Sequence, residues 1–145
     1  NARADSEQAT GDRRRMMKLA ETDFERVVNA LLPKLLLPAH LRDAALVAKV
    51  KAMAASTGKA AYCRQQEAII GRSDSRPHLA KIRCPTLVLC GKEDTLTPVA
   101  LHQEMANAIT GSRLVIAEQC GHLSTLEQPR LVTLNLLHWL SGLKA

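Results

Sequence analysis

"CPTLVLCGKEDTLTPVALHQEMANAITGSRLVIAEQCGH", residues 84–122, holds two short apolar runs separated by a helix-length segment, and the relation between those runs decides the fold. The first run, residues 86–90, is continuous and too short for a helix. Behind Pro85 it reads as a strand buried on both faces of a parallel sheet. Pro98 suits a first helical turn with Thr97 as its cap, and Leu101, Met105 and Ile109 recur at helical spacing before Gly111. The second run, residues 112–117, reads as another strand. A loop, "EQCGH", then leads to a final helix reaching about Leu140, with Leu131, Leu134 and Trp139 available for burial. Strand, helix, strand, helix is the repeating unit of an α/β sheet.

Toward the N-terminus the pattern changes near Arg76-Pro77, and almost everything before it reads as helix. Asp5 or Ser6 can cap a helix through Met16, Met17 and Leu19, with apolar residues continuing at helical spacing through Phe24, Val27, Val28 and Leu31. Pro33 and Pro38 bracket "PKLLLP", which reads as a break or short connector. A second block from about Asp43 places Leu46, Val47, Val50 and Met53 on one face and stops at Gly58. A third, "KAAYCRQQEAII", ends at Gly71. The chain is thus expected to divide into a helical region, 1–76, and a strand-helix region, 77–145, with no internal repeat.

Composition removes several function classes. A compact chain of 145 residues buries roughly 68–70% of its unfolded surface, so a core is within reach. Phe24, Tyr62 and Trp139 are the only aromatics, which argues against nucleic-acid binding by base stacking. The net charge of +6 leaves an electrostatic rival: a helical binding module presenting Arg13, Arg14, Arg15 and Lys18 to an acidic partner. No apolar run is long enough to span a bilayer, and "NARADSEQATGDRRR" lacks the apolar core of a signal peptide, so a soluble, cytoplasmic protein without membrane contact is expected. Cys63, Cys84, Cys90 and Cys120 form no C-x-x-C pair and have no finger-like His spacing; reduced, mostly buried thiols are expected, and no metal or cofactor. Cys120 lies two positions before His122, but nucleophilic use would require a neighbouring base and a lowered pKa.

Chemistry gathers at the two strand ends, as it does in open parallel sheets. Asp94 follows the first strand and His122 the second. If the strands are parallel neighbours, both side chains leave the same edge, and the carboxylate can accept the imidazole N–H and fix its tautomer. Either residue alone has a plain structural reading, since Asp bonds local backbone in turns and Gly-His can close a loop. Their matching positions after consecutive strands favour a base and its orienting acid. Glu93 and Glu118 also lie near strand ends and keep the acid assignment open on position alone.

Residues 77–140 resemble the C-terminal part of α/β-hydrolase-fold enzymes. Gly91, Asp94 and Pro98 fit the G-x-x-D-x-x-x-P turn that carries the triad acid, and Gly121, His122, Glu127 and Pro129 fit the G-H turn and helix that carry the base. The helical region resembles the cap inserted before these last strands, and "ARADSEQ" its entry. The resemblance implies a helix-rich C-terminal fragment of the α/β-hydrolase fold with about two parallel core strands and a helical cap. It also implies catalytic roles for Asp94 and His122, and action on esters, lactones or related small carbonyl substrates, of the enol-lactonase, carboxylesterase or C–C hydrolase kind. One element departs from the pattern: no G-x-S-x-G elbow occurs, and "GRSDS", residues 71–75, has Ser75 where the last glycine belongs and follows a helix, so it reads as a loop. The nucleophile, the oxyanion-hole loop and the early strands are therefore expected upstream of Asn1, and this chain alone is expected to be inactive. The open sheet is expected to be covered by that upstream half or by a second copy.

Overall fold

The computed structural model describes residues 1–143. Helix α1, Glu7–Thr22, starts where Ser6 Oγ accepts the Ala9 N–H at 3.1 Å, and it ends at Asp23. Asp23 is both a stop and a start. Its backbone N–H closes α1 on the Leu19 carbonyl, and its carboxylate caps helix α2, Phe24–Leu35, by accepting from Arg26 N–H. The single helix suggested by the apolar spacing is thus two, because a capping carboxylate competes with helix continuation at that point. Pro33 is not a break. It sits in the last turn of α2, and the helix stops at extended Leu36, two residues before Pro38.

A short 3₁₀ turn, His40–Arg42, leads to α3, Ala44–Ile70, which Asp43 caps through Leu46 N–H. At Gly58 the backbone turns to φ 74°, ψ 161°, a left-handed conformation that glycine adopts without a Cβ penalty, and α3 kinks into the two blocks expected from the sequence. On the face that the spacing assigns to Leu46, Val47, Val50 and Met53, Val50 is buried and Met53 is 50% exposed. Phe24 and Tyr62 meet with ring centroids 5.6 Å apart and planes tilted 53°. Leu32, Leu36 and Val50 form a buried cluster, and the residues packed on it include Leu123 and Leu126 from the C-terminal region. The helices are therefore seated against the segment that follows His122.

After the short helix α4, Arg76–Leu79, strand β1, Leu87–Gly91, runs parallel to β2, Arg113–Ala117, in the register Leu87↔Arg113 to Gly91↔Ala117. Helix α5, Val99–Ala108, makes the crossover, and Met105 and Ile109 pack toward Leu79 and Ala2. Val88 and Cys90 are buried, while Ile116 on β2 is 39% exposed. The final helix of the sequence reading is two elements, α6, Ser124–Glu127, and α7, Pro129–Ser141, with Pro129 opening the second. Leu131 and Trp139 are half-buried, but Leu134 is 66% exposed, on a face that nothing among the described residues covers. Among those residues no helix is long and apolar enough to cross a membrane.

Candidate active site

The turn after β1 is held by close backbone approach. A Cβ on Gly91 would lie 2.0 Å from the Gly121 carbonyl oxygen and 2.3 Å from that of Cys120, so only glycine lets the β1 end meet the loop after β2. Lys92 N–H donates to the Ala117 carbonyl, Glu93 N–H to the Cys120 carbonyl, and Glu93 Oε2 accepts from Cys120 N–H. Glu93 therefore ties the two loops together through backbone, and Glu118 pairs with Lys92 at the surface.

Asp94 is buried. Its Oδ1 accepts from the N–H groups of Leu96 and Thr97, both at 2.9 Å, and its Oδ2 accepts from Thr97 Oγ1 at 2.7 Å and His122 Nδ1 at 2.8 Å. Thr97 therefore does not cap α5 with its side chain. That helix begins at Val99, and its cap position falls on Pro98, which has no side-chain acceptor, while the Thr97 hydroxyl one residue earlier donates to the Asp94 carboxylate. Burial alone would push the Asp94 carboxyl up, but the Thr97 backbone and hydroxyl donors, then His122, outweigh it and hold the group below the ordinary Asp value.

His122 reaches this carboxylate from the loop after β2. Gln119, at φ 53°, turns the chain, and the His122 and Leu123 N–H groups both donate to the Leu35 carbonyl at the end of α2, at 3.0 and 3.1 Å. The His122 side chain is one-third exposed while that of Asp94 is 3% exposed. With Nδ1 on the carboxylate, Nε2 is the nitrogen left to face a reacting group, and among the described residues it has no hydrogen-bond partner. Such an arrangement, a buried carboxylate behind a part-exposed imidazole, is one that can orient a base.

The other candidates separate from this pair. Cys120 is fully buried, and its thiol is pushed up to about 12, first by burial and then by the nearby Glu127, Glu93 and Asp94 carboxylates, which opposes thiolate chemistry. Cys84 is exposed, unlike the buried thiols Cys90 and Cys120. Ser75 sits in the loop before α4, its N–H donating to the Ala2 carbonyl. Arg13 pairs with Asp5 at 2.5 Å and bonds Gln66, and Arg15 pairs with Asp12 at the surface, so two of the four basic residues are engaged within the chain. Among the described residues no three His, Cys, Asp or Glu side chains converge on a metal position.

His40 was not singled out from the sequence, yet its Nδ1 lies 2.9 Å from Glu127 Oε2. A lone histidine after a proline-bracketed connector gives no sequence signal for this, since its partner lies 87 positions away.

The profile of the family described as TAP-like protein, an α/β-hydrolase family, matches residues 48–132. A thermophilic esterase from Thermogutta terrifontis superposes with a TM-score of 0.90 at 29% identity, over 97% of this chain and 53% of that one. The enol-lactonase of Burkholderia xenovorans LB400 superposes with a TM-score of 0.85 at 27% identity, again over 97% of this chain and 53% of its own. RutD proteins named for carbamate hydrolysis are also similar. That of Pseudomonas savastanoi pv. phaseolicola is 35% identical over 69 residues, 48% of this chain and 27% of that protein. That of Escherichia coli O1:K1 is 30% identical over 92 residues, 63% of this chain and 34% of that protein. The chain thus spans about half the length of the solved structures and about a third of the curated relatives.

Proposed function

The chain belongs to the TAP-like family of α/β hydrolases, and from that membership and the Asp94–His122 pair we propose that it forms the C-terminal part of a serine-type hydrolase. Its substrates would be esters, lactones or related small carbonyl compounds, the range spanned by the esterase, enol-lactonase and carbamate-hydrolase names of its relatives. The observation that carries the reading is the 2.8 Å contact between a buried carboxylate and the Nδ1 of a part-exposed imidazole, at the ends of adjacent parallel strands.

His122 Nε2 takes the proton of a serine hydroxyl as that oxygen attacks the substrate carbonyl, and returns it to the leaving group. Asp94 holds the imidazole tautomer and stabilises the imidazolium. The serine would sit on an elbow upstream of Asn1, in the chain order Ser, Asp, His, with the N–H groups for the oxyanion in the same upstream part. Residues 1–76 would serve as the cap, and the apolar cavity among Phe24, Val28, Leu31, Leu35, Val50 and Tyr62 supports a role in lining an apolar pocket. The four thiols, none in a disulfide, suit a reducing compartment, and we place the protein in the cytoplasm.

The test compares this chain with the longer protein that includes the upstream sequence, using p-nitrophenyl esters. The longer protein is expected to turn over substrate and to lose about 10⁴-fold in kcat on His122→Ala. The 145-residue chain alone is expected to show no turnover. Turnover by that chain that His122→Ala abolishes would overturn the division of the triad, and full activity of His122→Ala in the longer protein would overturn the role of His122.

A further inference from the structure

Glu127 is a buried carboxylate that the proposed chemistry does not use. Its side chain is fully inaccessible, and Oε2 accepts from Leu37 N–H at 2.7 Å and from His40 Nδ1 at 2.9 Å. Oε1 has no hydrogen-bond partner among the described residues. It faces Gly121, where a Cβ would lie 3.0 Å from it and 2.8 Å from the Leu37 nitrogen. A buried carboxyl group with one bare oxygen is costly, and an apolar residue of similar volume would fill the same space at less expense. The carboxylate therefore has to do something that a leucine could not.

Its bonds close a circuit around the His122 loop. Leu35 O accepts the N–H groups of His122 and Leu123, and two residues later Leu37 N–H donates to Glu127. Glu127 N–H in turn donates to the Leu123 carbonyl, so helix α6 returns the circuit to the residue after His122. The end of α2 and the connector that follows it, residues 36–43, are thus both tied to the His122 loop, Leu35 through the His122 and Leu123 amides and Leu37 and His40 through one Glu127 oxygen.

We propose that Glu127 is a positioning residue for His122: it locks the α2–α3 connector onto the His122 loop, so that the aim of the imidazole depends on how the helices above it are seated. The inference rests on reading His122 as the catalytic base. Gly121 is then glycine for two reasons at once, since both the connector backbone and the Glu127 carboxylate pack where its side chain would be.

Nuclear magnetic resonance on the 145-residue chain tests this without requiring turnover. Glu127→Leu keeps the volume but accepts nothing, and Glu127→Gln keeps one acceptor for Leu37 N–H. In the Leu variant the low-field proton signal of the His122 Nδ1–H bond to Asp94 is expected to disappear, and the His122 and Leu123 amides to exchange at least about tenfold faster. The Gln variant is expected to keep both. An unchanged His122 signal in the Leu variant, or a Gln variant indistinguishable from it, overturns the proposal. If the β1 and β2 amide shifts show that Glu127→Leu has not folded, His40→Ala serves in its place. There the Leu37, His122 and Leu123 amides are expected to quicken together by about threefold or more, and no change would equally overturn the proposal. These outcomes do not depend on an upstream serine, so they are separate from the ester assay.

Discussion

Asp94 stays ionised in a place where burial opposes ionisation, because four donors converge on two oxygens. A carboxyl held below its ordinary value contributes stability that is fully present above about pH 4 and is lost as pH falls through the depressed folded value. Asparagine cannot change charge with pH, so Asp94→Asn is expected to cost about 1–3 kcal/mol near neutrality and progressively less below about pH 4. Urea unfolding at pH 2 to 7 reads this directly. A wild-type minus variant difference that stays constant down to pH 2 would mean that the carboxylate is not held by these bonds.

The loops are made by glycines that let backbone meet backbone. The 2.0 Å and 2.3 Å approaches at Gly91 involve carbonyl oxygens of the opposite loop, which cannot swing aside as a side chain would. Gly91→Ala is expected to destabilise by about 3 kcal/mol, read by chemical denaturation, whereas Gly71→Ala, with an ordinary right-handed φ of −77° and nothing nearer than 3.5 Å, should be neutral within about 0.5 kcal/mol. Equal effects at the two sites would show that the loop contact is loose. The same loops show what a sequence can carry. Asp94, His122 and the two strands were legible because apolar runs, proline and glycine mark strand ends locally. Glu127 was legible only as part of a motif. Its partner His40 and the one-residue shift that places Pro98, not Thr97, at the cap of α5 were not, since the first is settled by a contact between distant segments and the second by where the turn after β1 ends. Pro33 misled for a different reason: it gives up its own bond to the Asn29 carbonyl, yet α2 runs two residues past it to Leu35, while the break that does occur lies at Asp23, where a cap captures the chain.

On the molecular scale, the described residues form a sheet of two strands, and α7 presents Leu134, Leu136, Leu137 and Leu140 at 66%, 41%, 58% and 52% exposure, with Ile116 open on β2. Successive leucines at these positions spread over almost half the helix circumference, wider than the stripe a surface helix needs for one neighbour. A patch of this kind on a chain in water is expected to be covered, either by the upstream part of the protein or by a second copy. Light scattering at dilute concentration distinguishes the cases. The 145-residue chain alone is expected to run above its monomer mass and to return toward it when Leu134 and Leu137 are both replaced by lysine. The longer protein is expected to be insensitive in mass, because its own strands would cover the same face, but to lose stability by about 2 kcal/mol or more on the same replacements, as buried leucines become buried charges. A clean monomer for the unmodified short chain would show that this face needs no cover. A longer protein that tolerates both lysines without loss would move the covering contact elsewhere on the sheet.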